Sequence, residues 1–230
     1  MKFELFCPVF NESYILPYFV KFYQDKVGKD NIIFNIYDNG SEDNTVEVAK
    51  ELGCNVGRYE TGGEVRDDLL MHFKNTIWKG SKADYVIVVD ADEFVDIDVD
   101  KLKGYTLLKS EGWNMVGDGI QTPDQIIHGI RHIPEDKTCV FSPLQIQEMN
   151  YDAGAHNCSP IGYIKVCPTR AKLYHMKVLS EQYLIEKYQS SQKRLSKINL
   201  QYGWGSQYNQ PIEELKTMYR HMLNGKVKVR

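Results

Sequence analysis

Asp90 and Asp92 stand two residues apart at the end of the most apolar run of the chain, Tyr85-Val86-Ile87-Val88-Val89. Alternate residues of an extended turn share a face, so both carboxylates can turn toward one cation. Mg²⁺ and Mn²⁺ favour oxygen donors of this kind and commonly share them with substrate phosphates. A cation held there would stabilise the charge that develops on a diphosphate leaving group. The plainer alternative is a solvated acidic turn, continued downstream by Asp96, Asp98 and Asp100.

Other residues can extend that chemistry. Asp38 closes a second apolar run and is followed by Asn39-Gly40-Ser41. Its carboxylate can accept hydrogen bonds from uracil or a ribose hydroxyl, or it can brace an Asx-type turn. Arg66 and Lys74 can neutralise a diphosphate, although helix cations are ordinarily just solvated. His175, after Leu173-Tyr174, can complete a metal site through a neutral imidazole. His156, within Asp152-Ala153-Gly154-Ala155-His156-Asn157, is the rival ligand or an acceptor-binding residue. Each histidine also fits a structural, hydrogen-bonded role. Activating an acceptor hydroxyl requires a base within direct hydrogen-bond reach. Asp118, Asp152 and Glu93 are the acidic candidates, with His156 beside them.

The elements that must position these residues alternate as βαβ units through the first ninety residues. Strands are expected at 3–9, 31–37, 55–59 and 85–89, and helices at 14–24, 45–52 and 65–78. A polar loop at the carboxyl end of such strands is where open α/β sheets bind ligands. The second half is less regular, with strand-like pieces at 113–116, 138–141 and 161–166. Helices are expected over 181–201 and 212–223, followed by a solvated basic tail at 226–230. No repeat or linker divides the chain.

Three ordered motifs carry a resemblance. Pro8-Val9-Phe10-Asn11-Glu12 with Leu16-Pro17, then Tyr37-Asp38-Asn39-Gly40-Ser41, then Val89-Asp90-Ala91-Asp92-Glu93-Phe94 resemble the strand-end motifs of GT-A glycosyltransferases of the family 2 type. Gly154-Ala155-His156, Leu173-Tyr174-His175-Met176-Lys177, Arg194-Leu195-Ser196 and Gly203-Trp204-Gly205 follow in the order of one subgroup. The commoner Asp-Asp-Gly-Ser is here Asp-Asn-Gly-Ser, so one acid is missing. The resemblance implies a single GT-A (Rossmann-like) α/β domain over 1–230 with a mixed, mainly parallel sheet. Residues 1–95 would form the nucleotide-sugar half, and 96–230 the acceptor half with the C-terminal helices. It further implies transfer from a nucleoside-diphosphate sugar to a hydroxyl of a glycan or glycoconjugate, with inversion. Mn²⁺ or Mg²⁺ would be held by Asp90, Asp92 and His175. Asp38, Asn39, Arg66 and Asp90 would bind the donor, and Asp118, Asp152 or His156 would serve the acceptor. Trp204, Tyr202 and Tyr208 can offer stacking faces to a sugar.

Two other readings have a sequence basis. A nucleotidyltransferase also uses acidic metal sites, but usually with a glycine-rich basic loop that residues 8–13 lack. A GT-A-like domain that binds glycans without catalysis would not need the acid cluster. No GxxxxGK[ST] or GxGxxG segment favours an ATPase or a dehydrogenase.

Composition sets the outer limits. With 42% hydrophobic and 26% charged residues, the 230-residue chain has an ordinary globular balance. Its net charge of −3 gives no footprint for nucleic acid. No run of about 18 apolar residues suggests a spanning helix, although peripheral membrane contact stays compatible with a lipid-linked substrate. Five cysteines without a CxxC pair point to reduced thiols and a cytoplasmic setting.

Overall fold

The computed structural model describes residues 1–230. Strand β1 (Phe3–Val9) leads to helix α1 (Leu16–Val27), β2 (Ile32–Asp38), α2 (Thr45–Glu51), β3 (Asn55–Arg58), α3 (Asp67–Thr76) and β4 (Tyr85–Val88). All four residues of β4 are buried. That fits a parallel strand covered on both faces. In α1, Pro17 occupies the first turn, where its missing N–H costs nothing. Leu16, Phe19, Val20, Phe22, Tyr23 and Val27 then form its buried face.

Beyond β4 come β5 (Glu93–Val95), α4 (Val99–Leu102), β6 (Leu107–Leu108), β7 (Ser110–Val116) and β8 (His128–Arg131). They are followed by β9 (Val140–Phe141), β10 (Ile146–Glu148), β11 (Ile161–Gly162) and β12 (Ala171–Val178). The chain finishes with α5 (Glu181–Lys193), α6 (Lys197–Tyr202), α7 (Ile212–Gly225) and β13 (Val227–Lys228). The fold is α/β. Its first sheet runs β3-β2-β1-β4-β9-β6, with the first four strands parallel and β9 and β6 joined antiparallel. A second sheet runs β13-β8-β7-β12-β5, and β10 pairs with β11 alone. The largest apolar core draws on residues from Phe3 to Val229. No helix is long and apolar enough to cross a membrane.

Because β2 lies on one side of β1 and β4 on the other, the strand order reverses at β1. The crevice beyond the carboxyl ends of β1 and β4 is therefore the natural ligand position. The loops there are tied together. Asn11 adopts φ 53°, donates its backbone N–H to Ser41 Oγ at 2.9 Å, and accepts the Glu42 N–H on Oδ1 at 2.7 Å. Glu12 N–H donates to Thr45 Oγ1 at 2.8 Å.

Two expectations are corrected. The apolar stripe of 181–201 predicts one helix, but residues 194–196 break it. There Val65 N–H donates to the Arg194 carbonyl and Ser196 N–H to the Val65 carbonyl. Ser196 then caps α6 by accepting the Asn199 N–H. The basic C-terminus is not a free tail, since Val227 and Lys228 pair with Gly129 and His128 and Val229 is buried.

Asn11 supplies both a left-handed backbone and a bridging side chain. Asn11→Ala is expected to lower stability in urea unfolding by about 2–3 kcal/mol, from lost hydrogen bonds and αL strain. Asn11→Gly should lose about 1 kcal/mol less, because glycine accepts positive φ. Equal losses would remove the backbone contribution.

Candidate functional site

A cleft of about 500 Å³ opens at that sheet edge. Its floor is the turn after β4. Asp90 N–H donates to Glu93 Oε2 at 3.0 Å, and Glu93 N–H donates to the Asp90 carbonyl at 3.0 Å. Ala91, between the two aspartates, is buried, so Asp90 and Asp92 both reach the cleft. Phe94 anchors the turn from behind, packed on Phe19 and Phe22.

Strand β12 completes the floor. It pairs antiparallel with β5, matching His175 with Glu93, and Met176 N–H donates to the Asp92 carbonyl at 2.7 Å. His175 Nε2 therefore lies 3.4 Å from Asp92 Oδ2. Its Nδ1 is 2.9 Å from Asn114 Oδ1 on β7. An N–H at Nδ1 satisfies Asn114 and leaves the Nε2 lone pair directed toward a carboxylate. Two electron-rich atoms this close require a proton or a cation between them. Burial lowers the His175 pKa, but Asp92 and Glu135 outweigh it and raise the pKa overall. Burial likewise opposes charge on Asp92, yet His175, Lys187 and Lys177 hold its carboxyl well below the usual range.

These donors fit a divalent cation that accepts oxygen and imidazole ligands. Asp90 is placed differently from the expectation of paired carboxylates, because its Oδ2 accepts from Lys74 Nζ at 2.8 Å. No three acidic, histidine or cysteine side chains converge to enclose an ion by themselves. A cation at Asp92 and His175 would thus keep positions for phosphate oxygens and water, as Mg²⁺ commonly does.

The acids of the cleft are matched by lysines. Lys74 pairs with Asp90, Lys137 with Glu93, and Lys187 with Glu12. Burial pushes Glu12 up to about 7, against the pull of Lys187. Lys177 differs: it forms no ion pair, and its ammonium lies 4.9 Å and 5.1 Å from the ring centres of Tyr188 and Tyr208. Arg194 lies over Phe10, and burial lowers its pKa to about 10. Trp204 lines the cleft between Gly203 and Gly205 and stacks on Tyr202.

Among the residues singled out from the sequence, Asn39, Arg66, Asp90, Asp92, His156 and His175 line this cleft. Asn39 Oδ1 accepts from Thr61, and Arg66 forms a two-pronged pair with Asp68. Asp38 sits behind the wall, where its carboxylate braces the turn by accepting the Gly40 and Ser41 N–H groups. Asp118 lies apart from the cleft and caps its own loop at Ile120 and Gln121. Asp152 turns its carboxylate to Asn157, again off the cleft. Glu135, Lys137 and Lys187 also line the cleft, although no motif marks them in the sequence.

No protein-family model matches the sequence, and no curated protein sequence does. Among solved structures, the fold is similar to Staphylococcus aureus TarS 1–349, at 12% identity over 82% of this chain and 64% of that one, TM-score 0.46. It is similar to the mannosyltransferase PcManGT from Pyrobaculum calidifontis in complex with GDP-Man and Mn²⁺, at 12% identity over 82% and 61%, TM-score 0.43. Glucosyl-3-phosphoglycerate synthase from Mycobacterium tuberculosis, with Mn²⁺, UDP and phosphoglyceric acid, is similar at 18% identity over 48% and 43%, TM-score 0.32. The chain spans less than two thirds of each of these chains. Likenesses of this size do not assign a role to any residue.

The Glu93–Lys137 pair is buried on both sides, at 1% and 6% side-chain exposure. Glu93→Gln leaves the buried Lys137 ammonium with only Glu135, 3.6 Å away, as counter-charge, and is expected to cost about 3 kcal/mol in thermal or urea unfolding, the low end for a broken buried pair. The double variant Glu93→Gln/Lys137→Met should regain a large part of that loss. A single variant as stable as the parent protein would show that the pair is not structural.

Proposed function

We propose that this chain is a GT-A-type glycosyltransferase that moves a sugar from a nucleoside-diphosphate donor to an acceptor hydroxyl, with inversion at the sugar carbon. The supporting observation is the opposition of Asp92 and His175 at the strand-order reversal. It offers a carboxylate and an imidazole nitrogen to a proton or a cation, in a cleft that also carries an unmatched lysine. In this reading Asp92 and His175 hold Mn²⁺ or Mg²⁺, and Asp90, held by Lys74, stands beside them on the donor side. The bound cation supplies charge stabilisation to the departing diphosphate.

The chain's own residues do the rest. Lys177 meets the donor phosphates, and Arg194 and Arg66 add positive charge at the cleft wall. Asn39 and the Asp38-braced turn form the nucleoside side, where the rigid backbone of 38–41 presents polar groups to base or ribose. Trp204 gives a flat apolar face to a sugar ring. Lys74 and Lys137 hold the acid turn in place, keeping Asp92 aimed at the cleft before any ligand arrives. The acceptor, a glycan or glycoconjugate hydroxyl, approaches from the His156 side. Five unpaired thiols suit action in the cytoplasm, and contact with a membrane surface is compatible with a lipid-linked acceptor.

A panel of UDP- and GDP-sugars with and without Mn²⁺ tests the donor reading by calorimetry and by nucleoside-diphosphate release. Binding is expected to require the metal, and Asp92→Asn is expected to weaken the metal-dependent part at least tenfold, on the order of 1.4 kcal/mol. Metal-dependent binding by Asp92→Asn equal to the parent's would remove the metal assignment. Pyrophosphate release from a sugar 1-phosphate and a nucleoside triphosphate would favour nucleotidyl transfer, and binding without turnover across many acceptors a non-catalytic domain.

A further inference from the structure

Glu135 is a half-buried cleft carboxylate for which the donor site gives no task. It sits in the short turn Ile133–Glu135 after β8. Its Oε1 is 3.6 Å from His175 Nδ1, and its Oε2 is 3.9 Å from His156 Nδ1. Oε2 is buried and has no hydrogen-bond partner, with Lys137 Nζ 3.6 Å away. Asp92, His175, Glu135 and His156 thus form a row of alternating carboxylates and imidazoles leading away from the metal position.

Glu135 and His156 are each held by a close backbone approach. A side chain at Gly112 on β7 would meet Glu135 Cβ and its carbonyl group at 2.3–2.6 Å. The neighbouring Asp136 locks that turn, accepting the Gly112 N–H at 2.9 Å and pairing with Arg131. At the other end, a Cβ on Gly154 would fall 2.6–2.7 Å from His156 Cδ2 and Nε2. Gly154 also has φ 78°, which disfavours a side chain there. The Cδ2–Nε2 edge of the ring therefore lies over bare backbone, with Nδ1 toward Glu135 and the side chain 39% exposed at the cleft. His156 forms no side-chain hydrogen bond of its own, so Nε2 is free for a ligand.

We propose that His156 is the base that deprotonates the acceptor hydroxyl, and that Glu135 is the positioning residue that fixes its Nδ1–H tautomer and stabilises the imidazolium. The role rests on the transfer reading above. The acceptor O–H proton passes to His156 Nε2 as the acceptor oxygen's electron pair forms the bond to the sugar carbon. The bond from that carbon to the diphosphate oxygen breaks, and its electron pair leaves on the nucleoside diphosphate. The imidazolium then loses its proton to solvent. Catalytic hydrogen bonds of a ligand-free site often stand long and tighten on binding, as the 3.9 Å His156–Glu135 separation must. Burial and Lys137 lower the His156 pKa, partly offset by Glu135 and Glu93 and reinforced by Lys74. The ring is accordingly neutral near pH 7, as a base must be.

The full chain labelled with ¹⁵N-histidine permits a test without any acceptor. Imidazole NMR is expected to show neutral His156 as the Nδ1–H tautomer. In Glu135→Gln the His156 pKa should fall, because an anion that favours the imidazolium is gone, and the tautomers should mix. With a donor found by the nucleotide panel, His156→Gln should lower transfer about 10²-fold or more. Glu135→Gln should lower it about tenfold and move the acid limb of the rate profile to lower pH. UDP·Mn²⁺ affinity should stay within twofold in both variants. A His156 signal indifferent to Glu135→Gln overturns the pairing, whatever the nucleotide result. A Mn²⁺ affinity reduced tenfold in Glu135→Gln makes Glu135 a metal ligand and overturns it too. Failure of the parent protein to bind any nucleotide removes the donor reading and the base role built on it, while the tautomer result still decides the pairing.

Discussion

The pairing of β5 with β12 is the constraint on which the cleft depends. It joins the turn after β4 to a strand that arrives about 80 residues later, matching His175 to Glu93 and Tyr174 to Phe94. Side chains alternate along a strand, so a slip of one residue would turn His175 to the opposite face. The Met176–Asp92 backbone bond and the Phe94 anchor against α1 oppose such a slip. On its other edge β12 runs parallel to β7, which brings Asn114 to His175 Nδ1. One register therefore places the imidazole, selects its protonated nitrogen and aims the other at Asp92.

Charge compensation explains how so many acids can share one cleft. Carboxylates withdrawn from water lose hydration free energy that partners must offset. Lys74 neutralises Asp90, Lys187 neutralises Glu12, and Lys137 serves both Glu93 and Glu135; each lysine comes from a different part of the chain. Asp92 faces His175, whose charge a metal can replace. Lys177, resting on two tyrosine rings, and Arg194, over Phe10, are cleft cations without a carboxylate partner. The cleft thus combines a place for a divalent cation with an attraction for the anion such a cation would accompany.

The parts legible in the sequence were those that are local. Tyr85–Val89 running into Asp90-Ala91-Asp92 marks a buried strand and the turn that follows, since strand and acids are contiguous. Asn11 and Ser41 were visible as turn residues, but their bond joins loops 30 residues apart and belongs to the fold. Glu135 lies in an irregular segment where no period announces a site, and only the close approach to Gly112 makes it a cleft residue. Similarly, the apolar stripe over 181–201 could not show that Val65 would intervene between α5 and α6. The charged C-terminus hid Val227 and Val229, whose alternation supports the short edge strand β13.

Crystals soaked with Mn²⁺ and UDP, measured at the manganese absorption edge, would test the central claim most directly. The account predicts an anomalous peak between Asp92 Oδ2 and His175 Nε2, within bonding distance of both, with the His175 Nδ1–Asn114 bond intact. A peak confined to the surface acids Asp96, Asp98 and Asp100, or UDP bound in the cleft with no peak at Asp92, would contradict it.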